Sequence, residues 1–141
     1  MATAKSRVIS LRLKRGPAAR LERLARLFRR SMGETAALLL EEKLKEEEFA
    51  FIEFRDSTVG RQACVQGSSL AVWEVVLVAA DAGMDAATVA RLLSWPIQKV
   101  QAALAYAAAN PEEIAPIVDE VRATTLEHVR ATIPWVQEVG R

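Results

Sequence analysis

Val8-Ile9-Ser10-Leu11-Arg12-Leu13-Lys14, running into Arg15-Gly16-Pro17, is the stretch on which the fold turns. Ile9, Leu11 and Leu13 alternate with Ser10, Arg12 and Lys14, the period of a strand buried on one face only. Gly16-Pro17 then breaks the strand, and Pro17 suits the first turn of a helix, where its missing N–H costs nothing. Leu21, Leu24, Ala25 and Phe28 recur at helical spacing, while Arg20, Arg23, Arg26 and Arg30 lie largely off that face. Ser31-Met32-Gly33-Glu34 is a capping box, in which Ser31 and Glu34 each satisfy the other's backbone N–H. The second helix is expected to run to about Glu46, with Ala37, Leu40 and Leu44 as its apolar seam. The order is strand, helix, turn, helix.

About forty-five residues with a single strand cannot bury a self-sufficient core, and a lone strand has no ladder partner. Two copies of the strand, paired antiparallel, answer both problems and set Ser10 and Arg12 beside their symmetry mates on one exposed face. A two-stranded ribbon fits the DNA major groove, where arginine grips a guanine edge with two hydrogen bonds and serine serves several bases. The start of the second helix offers backbone N–H groups at Met32 and Gly33 to a phosphate oxygen.

Charge divides the chain in the same place. Residues 1–45 hold twelve Lys/Arg against four Asp/Glu, a net of +8, and residues 46–141 hold seven against fourteen, a net of −7. A polyanion is the natural partner of the first part, because neutralising phosphates releases condensed counterions. DNA should repel the second part.

The stretch Ser6–Lys45 resembles the ribbon-helix-helix domain of the CopG/MetJ/Arc type. The resemblance implies a dimer in which Ser10 and Arg12 read bases, with Val8 or Lys14 as the third reader. It also implies that the backbone around Ser31, Met32 and Gly33 anchors a phosphate. Where many members have a glycine before the second helix, this chain has Arg29-Arg30.

Beyond a hinge near Glu47, Phe51 to Phe54 reads as a short strand, and Ala63-Cys64-Val65 follows within a turn-rich run, so a compact hairpin is expected. An ion pair of Asp56 with Arg61 would fix its turn, and Cys64 reads as an inert buried thiol. Helices are predicted over Ala71–Ala82 (stopped by Gly83), over Ala86–Leu93 capped by Asp85, and over Ile97–Ala109 after the Ser94-Trp95-Pro96 turn. Val89, Leu92 and Leu93 should point inward from the middle one. Ile97, Val100, Leu104 and Ala108 should share one side of the last, and Trp73 and Trp95 read as packing residues. The three form a helix-turn-helix-like arrangement. Its exposed candidates, Gln98, Lys99 and Gln101, sit in an acidic domain, which argues against a second DNA surface. Phe54-Arg55-Asp56, Gly60-Arg61-Gln62-Ala63, Gly67, Val72-Trp73-Glu74-Val75 and Ala102-Ala103-Leu104-Ala105-Tyr106-Ala107 together resemble the domain-of-unknown-function family four-three-three. That resemblance implies an antitoxin of VapB type, which silences a PIN-like ribonuclease toxin while the ribbon domain represses the shared operon.

A further helix is expected from Asn110-Pro111 to about Arg130, restarted or kinked at Pro116, followed by an arm carrying Ile133, Trp135, Val136 and Val139. Arg130, Trp135 and Arg141 are the candidate toxin contacts, an arginine entering the acidic metal centre that PIN-like ribonucleases possess. The expected architecture is mostly α: a dimerising ribbon-helix-helix over 1–46, a hairpin and helix-turn-helix-like antitoxin domain over 47–110, and a helix with a partner-binding arm over 111–141.

With one histidine, His128, and one cysteine, the chain has neither a disulfide framework nor the makings of a zinc cage or nucleophilic catalytic set. No catalytic residue, metal, cofactor or enzymatic activity is expected. No apolar run approaches the roughly 20 residues of a membrane span, and Met1–Arg7 lacks the apolar segment of a secretory signal. The expected setting is cytoplasmic, with operator DNA, the toxin and further copies of the chain as partners. Two other readings compete: a stand-alone ribbon-helix-helix regulator with a C-terminal oligomerisation or sensing domain, and a membrane-surface adapter using the basic helix.

Overall fold

The computed structural model describes residues 6–58 and 60–132, and it is mostly helical, with one small antiparallel hairpin. The chain divides into two compact units, Met1–Lys43 and Leu44–Arg141.

In the first unit, residues 6–14 form no regular secondary structure within a single chain. The alternation of Ile9, Leu11 and Leu13 finds no ladder partner there, and these side chains are 69%, 66% and 44% exposed. Helix α1, Arg15–Phe28, starts two residues before Pro17, whose missing N–H falls in the first turn, where no intrahelical acceptor exists. Its packing face is the expected one: Ala25 is buried, and Leu21, Leu24 and Phe28 are half-buried. The helix ends at Arg29, which takes a left-handed φ of 54° while its N–H and that of Arg30 bond back to Arg26 and Ala25. Helix α2, Met32–Glu48, spans the boundary of the units and runs two residues past Glu46. Its expected seam is not buried: Ala37 is exposed, as are Leu40 and Leu44, whereas Thr35 and Glu42 are buried. The Thr35 hydroxyl meets its polar need locally by donating to the Ser31 carbonyl at 2.8 Å.

The second unit is built on a true core. Strands β1, Ile52–Ser57, and β2, Gly60–Val65, pair antiparallel from Ile52↔Val65 to Ser57↔Gly60. Asp56 faces Arg61 in that register and their side chains pair at 3.3 Å, as the sequence suggested. Helices α3 (Val72–Asp81), α4 (Ala86–Leu93) and α5 (Ile97–Ala109) follow, then α6 (Pro111–Thr132), which continues through Pro116. Each local signal has its counterpart. Gly83, at φ 65°, lets Met84 N–H bond back to the Ala79 carbonyl, and the Asp85 carboxylate accepts from Thr88 N–H.

Ile52 and Val65 of the hairpin, Val72 and Val75 of α3, Val89 of α4 and Val100 and Tyr106 of α5 meet in one fully buried cluster. Ile114 and Val118 join it, so the first half of α6 packs on this core. Leu92, expected inward, is 65% exposed, and Ala90 takes the inward place beside Val89. Ala108 is exposed too, while Ala103 and Tyr106 line the inner side of α5.

Tyr106 organises the polar edge of this core. Its hydroxyl donates to Glu113 Oε2 at 2.7 Å, and Lys45 Nζ reaches the same oxygen at 3.1 Å while lying 5.8 Å from the tyrosine ring centroid. Phe49 meets that ring edge-on at 5.0 Å. Hydrogen bonds to a charged group and an edge-to-face pair are each worth about 1 kcal/mol or more, so Tyr106 anchors three elements at once.

Candidate nucleic-acid interface

Val8, Ser10, Arg12 and Lys14 are all exposed, with Val8 at 92%, in a stretch that pairs with no strand among the described residues. The turn between α1 and α2 brings a second group of predicted residues into a defined geometry. Ser31 N–H donates to Glu34 Oε2 at 2.9 Å, and Glu34 N–H donates to Ser31 Oγ at 3.1 Å. The capping box is therefore formed as the sequence spells it, and it consumes the Ser31 N–H that was expected to help anchor a phosphate. Met32 and Gly33 remain, both exposed, and among the described residues nothing accepts from their N–H groups. These two donors stand at the positive end of α2.

Sequence reasoning took Glu34 only as a cap. The bond from Ser31 N–H, with the Ser31 hydroxyl and the Arg30 charge adding to it, holds its carboxyl below the usual carboxylate range. Its negative charge sits at the same helix terminus as the Met32 and Gly33 donors, and a phosphate approaching them would meet it.

All six arginines of residues 15–30 are exposed, and the stretch holds one acid, Glu22, paired with Arg26 at 3.3 Å. An exposed pair of this kind contributes little, so the surface stays strongly cationic.

Among the described residues the second unit offers no comparable surface. Lys99, expected to be exposed, is half-buried, and it donates from Nζ to the Gln66 carbonyl at 2.9 Å and so braces the loop between β2 and α3. Arg55 does similar work, donating to the Ser68 and Val65 carbonyls and pairing with Glu53. Arg91 leans along α4 to the Thr88 hydroxyl at 3.2 Å, beside a hollow of about 540 Å³ lined by Ala87, Ala90, Trp95 and Ile97. Trp73 Nε1 donates to Gln62 Oε1 at 2.9 Å and its ring packs on the core, a structural part. Cys64 is buried, and burial pushes its thiol pKa up, the opposite of an activated nucleophile.

Of the candidate toxin contacts, Arg130 lies in α6 with its side chain outside the described residues, and Trp135 and Arg141 lie outside them altogether. Among the described residues no group of three His, Cys, Asp or Glu could hold a metal ion, and no helix is long and apolar enough to cross a membrane. Comparison of the chain with protein-family models, with curated proteins and with solved structures finds no match.

Proposed function

We propose that the chain is a dimeric, operator-binding antitoxin: its first unit represses by binding DNA, and its second unit with the C-terminal segment neutralises a PIN-like ribonuclease toxin. In this reading two copies pair residues 8–14 into a ribbon-helix-helix ribbon, Ser10 and Arg12 read base edges, and Val8 or Lys14 adds a third contact. Met32 and Gly33 hold a phosphate.

One observation carries the reading. Buried among the described residues of the first unit are only Ala25, Thr35 and Glu42, while Ile9, Leu11, Leu13 and Leu40 are each more than 40% exposed. Burying an aliphatic side chain of that size stabilises by about 1.5–3 kcal/mol, so a second copy laid on this surface supplies the core that the unit lacks. The residues that such pairing leaves outside, Ser10, Arg12 and Lys14, are those suited to a DNA groove.

The DNA half of the proposal is tested by footprinting the full chain on the DNA upstream of its own reading frame. A protected site whose recognition relaxes in Arg12→Ala supports it, with a loss of about 1–3 kcal/mol expected. Binding indifferent to Arg12 counts against it. The toxin half is tested by co-expression with the neighbouring reading frame: co-purification of a small ribonuclease-like protein supports it. If the promoter is bound but nothing co-purifies, the reading that survives is a stand-alone regulator.

A further inference from the structure

The arginines of α1 are not placed as a merely solubilising face would place them. At 100° per residue, Arg15, Arg23 and Arg26 fall within about 80° of arc, each about 80° or more from Ala25, and Arg30 follows the left-handed Arg29 just past the end of the helix. Among the described residues the side chains of Arg15, Arg20, Arg23 and Arg29 make no hydrogen bond or ion pair. Arg20 with Arg23, and Arg23 with Arg26, stand three residues apart on the helix, where like charges weaken it. The first turn holds no acid, and Arg15 sits at the helix's positive end. The one acid of the helix, Glu22, pairs with Arg26, and the helix still carries a net excess of positive charge. Every cation on it is arginine, whose planar fork binds phosphate with two parallel hydrogen bonds.

We propose that this ridge is a second, sequence-independent phosphate-binding surface for duplex DNA, distinct from residues 8–14 and from the start of α2. The inference rests on the DNA-binding reading of the first unit. A membrane surface fits the ridge less well. A helix lying on a bilayer must bury its apolar face in the lipid, and here that face, around Ala25 and Leu24, is already turned into the unit.

The test uses the full chain carrying Arg23→Gln, Arg26→Gln and Arg30→Gln together, three exposed positions off the packing face. Affinity is measured for a promoter duplex and for an unrelated duplex of equal length, from about 50 to 200 mM salt. The expected result is an equal fractional loss on both duplexes. The slope of log affinity against log salt becomes shallower by about 2–3, roughly 0.9 per lost phosphate contact. Arg23→Lys, Arg26→Lys and Arg30→Lys together keep the charge and are expected to keep the slope. An unchanged slope in the glutamine variant overturns the proposal, and so does an equal loss of slope in the lysine variant. Loss of binding to phosphatidylglycerol vesicles with the duplex slope unchanged overturns it as well. If the wild-type chain binds both duplexes equally and the glutamine variant loses slope, the ridge stands and the operator reading falls. If the wild-type chain binds neither duplex, both fall.

Discussion

Ser31 and Glu34 hold each other across the first turn of α2, N–H to carboxylate at 2.9 Å and N–H to hydroxyl at 3.1 Å, and the carboxylate so fixed lies beside the donors Met32 and Gly33. The device that starts the helix also puts a negative charge where a phosphate would dock. Glutamine can replace glutamate in a capping box. Glu34→Gln is therefore expected to leave α2 in place and to raise duplex affinity up to about fivefold at low salt, less at high salt. Fluorescence anisotropy at two salt concentrations checks it.

The same pair sets a pH dependence. Glu34 titrates below its ordinary range in the folded chain, so the stabilisation is fully present above that range and is lost as pH falls through the lowered value. Asp85, lowered by its bonds from the Thr88 hydroxyl and N–H, acts in the same direction. Melting curves taken from neutral pH downward should show a smaller acid loss in Glu34→Gln than in the wild type, with the part due to Asp85 left.

Arg29 holds a left-handed conformation at φ 54°, where glycine is cheaper by about 1 kcal/mol. Arg29→Gly should raise the unfolding free energy by roughly that amount while weakening duplex binding, since a cation is removed. Urea unfolding and duplex titration, done on one preparation, report the two effects with opposite signs.

Much of the local structure was legible because its signals are local. Asp85 and Thr88 are three residues apart, Ser31 and Glu34 likewise, and Asp56 and Arg61 face each other across a short turn. Spacing alone predicts such contacts. Lys45 and Glu113 are separated by 68 positions, and no periodicity announces that they meet at Tyr106. Leu92 was misplaced for a related reason: on an eight-residue helix, Ala90 and Leu92 compete for the inward side, and the small residue lies against the core. Residues 8–14 show the other limit. Their alternation is plain, but the described residues of one chain do not supply the partner that would make them a strand.

Tyr106→Phe removes one hydrogen bond to Glu113 and keeps the ring and its contact with Phe49. Lys45 still pairs with Glu113, so the expected loss is moderate, about 1–2 kcal/mol. Chemical denaturation measures it, and duplex affinity should not change.

Lys99→Ala separates bracing from DNA contact. Loss of the bond to the Gln66 carbonyl should lower stability by about 0.5–1.5 kcal/mol, with duplex affinity within twofold of wild type. A large drop in affinity at unchanged stability would move the DNA surface to the second unit.

Sedimentation equilibrium of the full chain at micromolar concentration, alongside Leu11→Lys, probes the pairing of two leading segments most directly. Twice the mass of one chain is expected for the wild type and a single mass for the variant, because a buried lysine would be stranded in the shared core. A wild-type chain that sediments as a monomer, or a variant that stays dimeric, contradicts the account.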